Sequence, residues 1–334
     1  MTDFKQLTVR ECAQRILDIE HPLVVMHVRP DGDTVGSAAA LMTIFHKLGK
    51  APLWACQDPI PERLEFLLSN FREAYRYEYD SSTVVTVDVP TKEQIGDIYD
   101  YLPRPDFMID HHEVGIPFAD NFIIGGASSA GEVVMRVTEE LVEMGKMRLE
   151  RDIAYPLYAA ISSDTGCFRY SNATPETLRR GATLIETGID YADINNRLFN
   201  SKTPRQIRAE GFVAKNIKTE ANGKIAYATV TRRERNGLDV LMEHFETAID
   251  VVRSVALVEI AFVVKETDKG EFKASLRSTG ADVAAVSAVF GGGGHIRAAG
   301  CMVEARNISH AAKKLISVIR EMYYPETDAD EATE

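Results

Sequence analysis

The stretch LVVMH (23–27), VRPDGDTV (28–35) and GSAAALMTIFHKL (36–48) decides the fold. Its first five residues form an apolar run of strand length, Pro30 and Gly32 mark a turn, and the Ala- and Leu-rich segment after Gly36 has the composition of a helix. That order opens a βα unit. Two more apolar runs end in chemically active side chains: TVVTVDV (83–89), with Asp88 and then Pro90, and residues 106–109, followed by Asp110, His111 and His112. Strands that deliver acids and imidazoles at their C-terminal ends converge where open α/β sheets bind ligands.

Downstream, helical patterns run over 129–144 and 151–162, the second leading into SSDTG with Asp164. Pro175 opens another helix, for which Gly188 is the stop. Residues 191–215 are charged and largely helical in pattern, as a connector would be. Beyond them strands are expected over 224–230, 254–264 and 271–278, then a helix over 282–290, a GGGGH loop at 291–295 and a last helix over 309–322. The predicted fold is therefore α/β. A domain over residues 1–190, with a mainly parallel sheet flanked by helices, is joined through 191–215 to a smaller α+β domain over 216–325. The acidic segment 326–334 has no apolar anchors and is expected to be a disordered tail.

Composition narrows the partners. Across 334 residues, 38 Lys and Arg stand against 50 Asp and Glu, a net charge of −12 that disfavours long duplex DNA. A short nucleotide remains compatible, because two cations and a few arginines make a locally positive pocket. No apolar run reaches the roughly 18 residues of a membrane span, and MTDFKQLTVRECAQ lacks the features of a secretory signal, so a cytoplasmic protein without a membrane partner is expected. Cys12, Cys56, Cys167 and Cys301 are too widely spaced for a metal knuckle and are read as reduced thiols.

The candidate ligands are His27, Asp31, Asp33, Asp88, His111 or His112, and Asp164. They suffice for two divalent cations if one carboxylate bridges. Mixed nitrogen and oxygen donors suit Mn²⁺, with Mg²⁺ and Co²⁺ as alternatives. A cation pair activates a water and screens a phosphoryl group, which points to phosphate ester hydrolysis. In GGGGHIRAAG (291–300) the glycines expose backbone N–H groups to a phosphate, and His295 and Arg297 add donors. A Walker A loop is excluded, since neither Lys nor Ser/Thr follows the glycines. Arg277, on a strand with a polar face, is suited to fork a phosphate.

In order, HVRPDGDTVGS, VDVP, DHHEVG, SSDTGCFRYSNAT and FGGGGHIRAAG resemble the motifs of the DHH phosphoesterase superfamily. The likeness is to the subgroup with a DHHA1 domain that contains nanoRNases and 3′-phosphoadenosine-5′-phosphate phosphatases. It implies a DHH domain, a DHHA1 domain across a cleft, and a manganese pair. His27, Asp31 and Asp88 resemble the ligands of one metal; Asp33, Asp88, His111 and Asp164 resemble those of the other, with Asp88 bridging. His112 resembles the residue that meets the attacked phosphate, and Asp110 the carboxylate that orients an imidazole. Arg277 and His295, with the amides around Gly293 and Gly294, resemble the grip on a terminal phosphate.

The chain departs from the family at EVGIPFADN (113–121), where an asparagine usually follows the histidines sooner than Asn121. It departs again at Ser128–Glu132, where Ser-Ser-Thr usually precedes the glutamate. The implied activity is hydrolysis of short RNA to nucleoside 5′-monophosphates, with 3′-phosphoadenosine-5′-phosphate as a further substrate. A phosphodiesterase for cyclic or linear dinucleotides is the enzymatic alternative, and a catalytically inactive nucleotide-binding protein is the alternative of another class. A homodimer is compatible with the sequence.

Overall fold

The computed structural model describes residues 4–325, the side chain of His295 excepted. The chain divides into two compact units between Ser201 and Lys202, a point inside the expected connector. The expected tail, 326–334, lies outside the described residues. Among the described residues, no helix is long and apolar enough to cross a membrane. All four cysteines are free.

The first unit is built on β1 (Pro22–Val25), β2 (Leu53–Ala55), β3 (Thr83–Val87), β4 (Phe107–Asp110) and β5 (Asp120–Ile123). All neighbouring pairs are parallel, in the order β2-β1-β3-β4-β5. Strand order reverses between β1 and β3, and open α/β sheets bind ligands at such a switch point. Val24, Val85 and Phe107 face the helices Val9–Asp18, Gly32–Lys47, Ala130–Glu143 and Arg151–Asp164. Leu23, Val25, Val84 and Met108 face the other way, under Tyr79, Ile95 and Phe118.

Three glycines let those helices approach closely. A Cβ at Gly36 would stand 2.8 Å from the Pro156 carbonyl oxygen, and one at Gly131 2.5 Å from the Ala160 Cβ. At Gly32 it would collide with the Ser163 side chain. The glycines thus bring the loop after β1, the start of helix 130–143 and the end of helix 151–164 together.

The second unit carries β6 (Lys218–Glu220), β7 (Ile225–Val230), β8 (Ile260–Glu266), β9 (Phe272–Ser278), β10 (Gly293–His295) and β11 (Ala298–Met302). Their order is β10-β11-β9-β8-β7-β6, antiparallel except for the β7–β8 pair. Alternation along β9 buries Phe272, Ala274 and Leu276 against helices 283–288 and 308–323 and leaves Lys273, Ser275 and Arg277 partly exposed on the opposite face. On that second face, Ala226, Ala228, Ala261 and Val263 pack against helices 204–215 and 248–253.

Four sequence expectations are corrected. The helix predicted after Gly36 begins at Gly32, because the Asp31 carboxylate accepts from the amides of Asp33 (3.0 Å) and Thr34 (3.1 Å) and caps it. The helix predicted to stop at 162 continues to Asp164. The strand predicted from 254 starts at Ile260, because helix Ala248–Arg253 precedes it and Leu257 has φ 70°, incompatible with an extended run. The GGGGH segment is not all loop: Gly293–His295 pairs with Ala298–Gly300.

Candidate metal centre

Each candidate ligand sits at or beside the end of a strand or helix. His27 and Asp31 follow β1, Asp33 lies in the first turn of the helix Asp31 caps, Asp88 follows β3, His111 follows β4, and Asp164 closes helix 151–164. Asp88 has φ 60°, a left-handed conformation uncommon outside glycine. Its amide is fixed by the Ile109 carbonyl of β4 at 2.9 Å, and the strained turn directs a carboxylate that is 3% exposed into the cluster.

The geometry divides the residues into two sets around Asp88. Its Oδ2 lies 3.5 Å from His27 Nε2 and its Oδ1 lies 3.5 Å from His111 Nε2. His27 Nε2 is 3.8 Å from Asp31 Oδ1, while His111 Nε2 is 3.7 Å from Asp33 Oδ2 and 4.0 Å from Asp164 Oδ2. These separations are too long for hydrogen bonds. Two atoms about 2.1 Å from a shared cation stand about 3.0–3.5 Å apart at octahedral or tetrahedral angles, so the spacing needs only slight contraction around an ion. The donor atoms of His27, Asp31 and Asp88 lie within 4.8 Å of one another, as do those of Asp33, His111 and Asp164.

Two further observations fit divalent cations. The Nδ1 of His27 donates to the Val28 carbonyl (2.8 Å) and that of His111 to the Ala127 carbonyl (3.1 Å), which puts the lone pair of each ring on the Nε2 that faces the carboxylates. The buried Asp88 Oδ1 has no hydrogen-bond partner among the described residues, the condition of a ligand atom awaiting a cation. His112 also lies near Asp88 and His111, but its Nδ1 is engaged with Asp110 Oδ1 at 2.8 Å. Asp110 therefore orients His112, which forms with Asp88 and His111 a third group of donor atoms within 4.8 Å of one another.

Electrostatics shows what the cluster lacks. Burial, followed by the charge of Asp33, pushes the Asp88 carboxyl well above the ordinary range. Burial and then Asp33 and Asp31 do the same to Asp164. Burial raises Asp33 despite opposition from His111. At His27, burial disfavours the imidazolium, yet Asp31 and Asp88 outweigh it and raise the group to about 11. Crowding and burial that raise the proton affinity of these carboxylates mark a site short of positive charge, which divalent cations would supply.

Several supporting residues were not identified from the sequence. Asp33 Oδ2 and Oδ1 accept from the amides of Ala130 (2.7 Å) and Gly131 (3.0 Å) at the positive end of helix 130–143, and Oδ1 also accepts from Ser37 Oγ. That helix start is anchored by buried Glu132, which accepts from the Ser128 amide and hydroxyl and Thr177 and pairs with Arg180 at 2.9 Å. Asn172 donates to the carbonyls of Ser128 and Asp164, tying two site loops together. The S-x-x-E string at Ser129–Glu132 is a helix-start signal, but nothing in it foretells a partner 48 residues later. A separate hollow of about 840 Å³ beside β2, lined by Trp54, Phe66 and Phe71, includes none of the candidate ligands.

In the second unit Arg277 stands on β9 opposite Ala298 of β11, and His295 pairs with the same Ala298 from the other side. Gly294 has φ 139° and Gly292 abuts the Gly300 carbonyl, so both positions require glycine for the fold. A Cβ at Gly293 would meet open space. Neither crowding nor φ demands glycine there, in keeping with close approach by a ligand.

Comparison with known proteins covers both units. The model of the DHH family, N-terminal domain, matches residues 22–161, and that of the DHHA1 domain matches 222–321. A bifunctional oligoribonuclease and PAP phosphatase NrnA of Thermus thermophilus is 27% identical over 319 residues, spanning 94% of each chain. One of the same description from Bacillus subtilis is 26% identical and covers 83% of this chain and 87% of its own. An exopolyphosphatase-related protein of Bacteroides fragilis superposes with a TM-score of 0.85 at 24% identity, over 95% of this chain and 96% of that one.

Proposed function

Because the chain belongs to the DHH/DHHA1 phosphoesterase superfamily, we propose that it is a manganese-dependent hydrolase that cleaves short oligoribonucleotides to nucleoside 5′-monophosphates. The relatives' second activity extends the proposal to removal of a phosphate from 3′-phosphoadenosine-5′-phosphate. The observation that carries it is the Asp88 carboxylate, placed with one oxygen toward His27 and the other toward His111. On this reading His27, Asp31 and Asp88 hold one cation, and Asp33, Asp88, His111 and Asp164 hold the other. When bound, the pair supplies Lewis-acid stabilisation of phosphoryl charge and a water of lowered pKa.

The chain's own residues do the rest. Asp110 keeps the His112 proton on Nδ1 and holds the ring in one orientation, so that Nε2 is the nitrogen that meets a phosphoryl oxygen. Glu132 and Arg180 fix the amides that hold Asp33, so the ligand set is preorganised by buried ionic contacts. Arg277, His295 and the amides around Gly293 and Gly294 hold a phosphate of the nucleotide. A net charge of −12 accords with substrates too short to need a basic groove.

The test is turnover by metal-stripped protein, with and without Mn²⁺, on a 5′-phosphorylated RNA dinucleotide, 3′-phosphoadenosine-5′-phosphate and cyclic di-AMP. Manganese-dependent turnover of the first two is expected. Preference for cyclic di-AMP would replace the reading with a cyclic dinucleotide phosphodiesterase, and binding without turnover would reject an enzyme. Arg277→Ala should reduce kcat/KM on the phosphorylated dinucleotide about 10- to 100-fold, the worth of a charged hydrogen bond. An equal loss on a minimal activated phosphodiester would reject the clamp.

A further inference from the structure

From the hollow beside β2, which the metal centre does not use, we infer a binding site for an alkylammonium cation of the polyamine kind.

Three segments of the first unit build the hollow. Residues 56–60 continue from β2 at the same end of the parallel sheet as the loop after β1. They are tied to that loop: Cys56 Sγ donates to the His27 carbonyl (3.3 Å), and Asp58 Oδ2 accepts from the Arg29 amide (2.8 Å). The short helix Glu65–Leu68 supplies the second wall. The third is the segment 71–74, which Trp54 holds in place. Trp54 forms an isolated parallel bridge with Glu73, its carbonyl accepts from the Ala74 amide (2.8 Å), and its indole N–H donates to the Phe71 carbonyl (3.4 Å). The space between the three is about 840 Å³, within the range of small-molecule sites.

The lining selects the chemistry of the ligand. Trp54, Phe66 and Phe71 face the hollow and are only partly buried, although each packs on the apolar core. Open aromatic faces on a concave surface attract a cation through the ring quadrupole, or a planar base by stacking. The polar groups decide between the two. Asp58, Glu65 and Glu73 contribute carboxylates, and among the described residues no Lys, Arg or His lines the hollow. Guanidinium groups nearby are engaged elsewhere: Arg72 donates to Glu78 (2.7 Å), and Arg197, 5.1 Å from the Phe66 ring centre, donates to Asp193 (2.7 Å). The Glu73 carboxylate has no hydrogen bond or ion pair among the described residues, and partial burial pushes its carboxyl up. The lining is therefore negative throughout. It repels the phosphate of a nucleotide and favours a ligand that brings positive charge. A hydrated inorganic ion would leave the aromatic and aliphatic surface unused. An alkylammonium uses all of it, with methylenes against Ile60 and Leu68 and charged nitrogens between the rings and the carboxylates.

The experiment is isothermal titration of the metal-stripped full chain, dialysed free of chelator, with spermidine and with adenosine. In about 0.15 M salt, wild type should bind one spermidine per chain, and adenosine at least about tenfold more weakly. Trp54→Leu should weaken spermidine binding about 3- to 30-fold, and Trp54→Phe should restore most of the affinity. Glu73→Gln, at the exposed rim where it does not disturb the fold, should weaken it about threefold or more. Spermidine binding that is absent in wild type, or indifferent to both Trp54→Leu and Glu73→Gln, would overturn the site, since attraction to an acidic surface needs neither residue. Adenosine bound more tightly than spermidine, and lost in Trp54→Leu, would overturn the charge assignment and make a neutral base the occupant.

Discussion

Removing the cations and raising the pH should destabilise the chain, and restoring the cations should abolish that pH dependence. In the metal-free fold, burial opposes the His27 imidazolium, but Asp31 and Asp88 lift it to about 11, while burial lifts the carboxyls of Asp33, Asp88 and Asp164. An unfolded histidine releases its proton near about 6.5. The stabilising contribution of His27 is therefore complete below that value and is lost as pH rises toward about 11. The carboxyls act with the same sign, since a raised folded value makes the native chain hold protons that the unfolded chain has released.

For one extra proton the slope is about 1.4 kcal/mol per pH unit, so from about pH 7.5 to 9.5 His27 alone accounts for about 2.7 kcal/mol. In a unit of this size that lowers Tm by about 5–11 °C. Scanning fluorimetry in EDTA across that range measures the slope. Saturating Mn²⁺ should flatten it, because the cations displace the protons, and titration calorimetry in buffers of different ionisation enthalpy should record at least one proton released. A metal-free Tm that is flat or rises with pH, or a slope that persists in Mn²⁺, would refute the reasoning.

Asp88→Asn should lower bound manganese from two ions per chain to one or fewer by mass spectrometry, with affinity reduced by about 100-fold or more since both sets share the residue; unchanged occupancy would remove Asp88 from the bridge. Asp110→Asn should reduce kcat about 10- to 100-fold at unchanged metal content, because the 2.8 Å contact to His112 loses its charge; activity within twofold of wild type would show that Asp110 does not orient the ring. Gly131→Ala puts a Cβ 2.5 Å from that of Ala160 and should cost about 1–3 kcal/mol in urea unfolding, together with weaker manganese binding; full retention of both would mean that the helix start can move without disturbing Asp33.

Strands that are buried on both faces, such as β1, β3 and β4, announce themselves as unbroken apolar runs, which is why these three of the sheet's five strands, ending at His27, Asp88 and Asp110–His112, were legible while β5 was not. Short β2, at the sheet edge, carries too few residues for a periodic signal. The helix start at Gly32 was misread because glycine and aspartate are turn residues by propensity, and only the capping by Asp31 turns them into a first turn. Which histidine faces the carboxylates was undecidable from adjacency. In the fold His111 Nδ1 meets the Ala127 carbonyl, whereas His112 Nδ1 meets the Asp110 side chain.

All six candidate ligands lie between His27 and Asp164, within a unit that ends at Ser201. Protein synthesis is vectorial, and domains generally fold as units in the order in which they emerge. At about 5–20 residues per second, the segment Lys202–Glu334 takes about 7–27 s to make. During that interval a nascent chain can already possess the whole cation-binding cluster while having no β9 and no Arg277. On the proposed reading, metallation and nucleotide recognition are thus separable in time, and cation supply would act as a checkpoint on the first unit before the second exists.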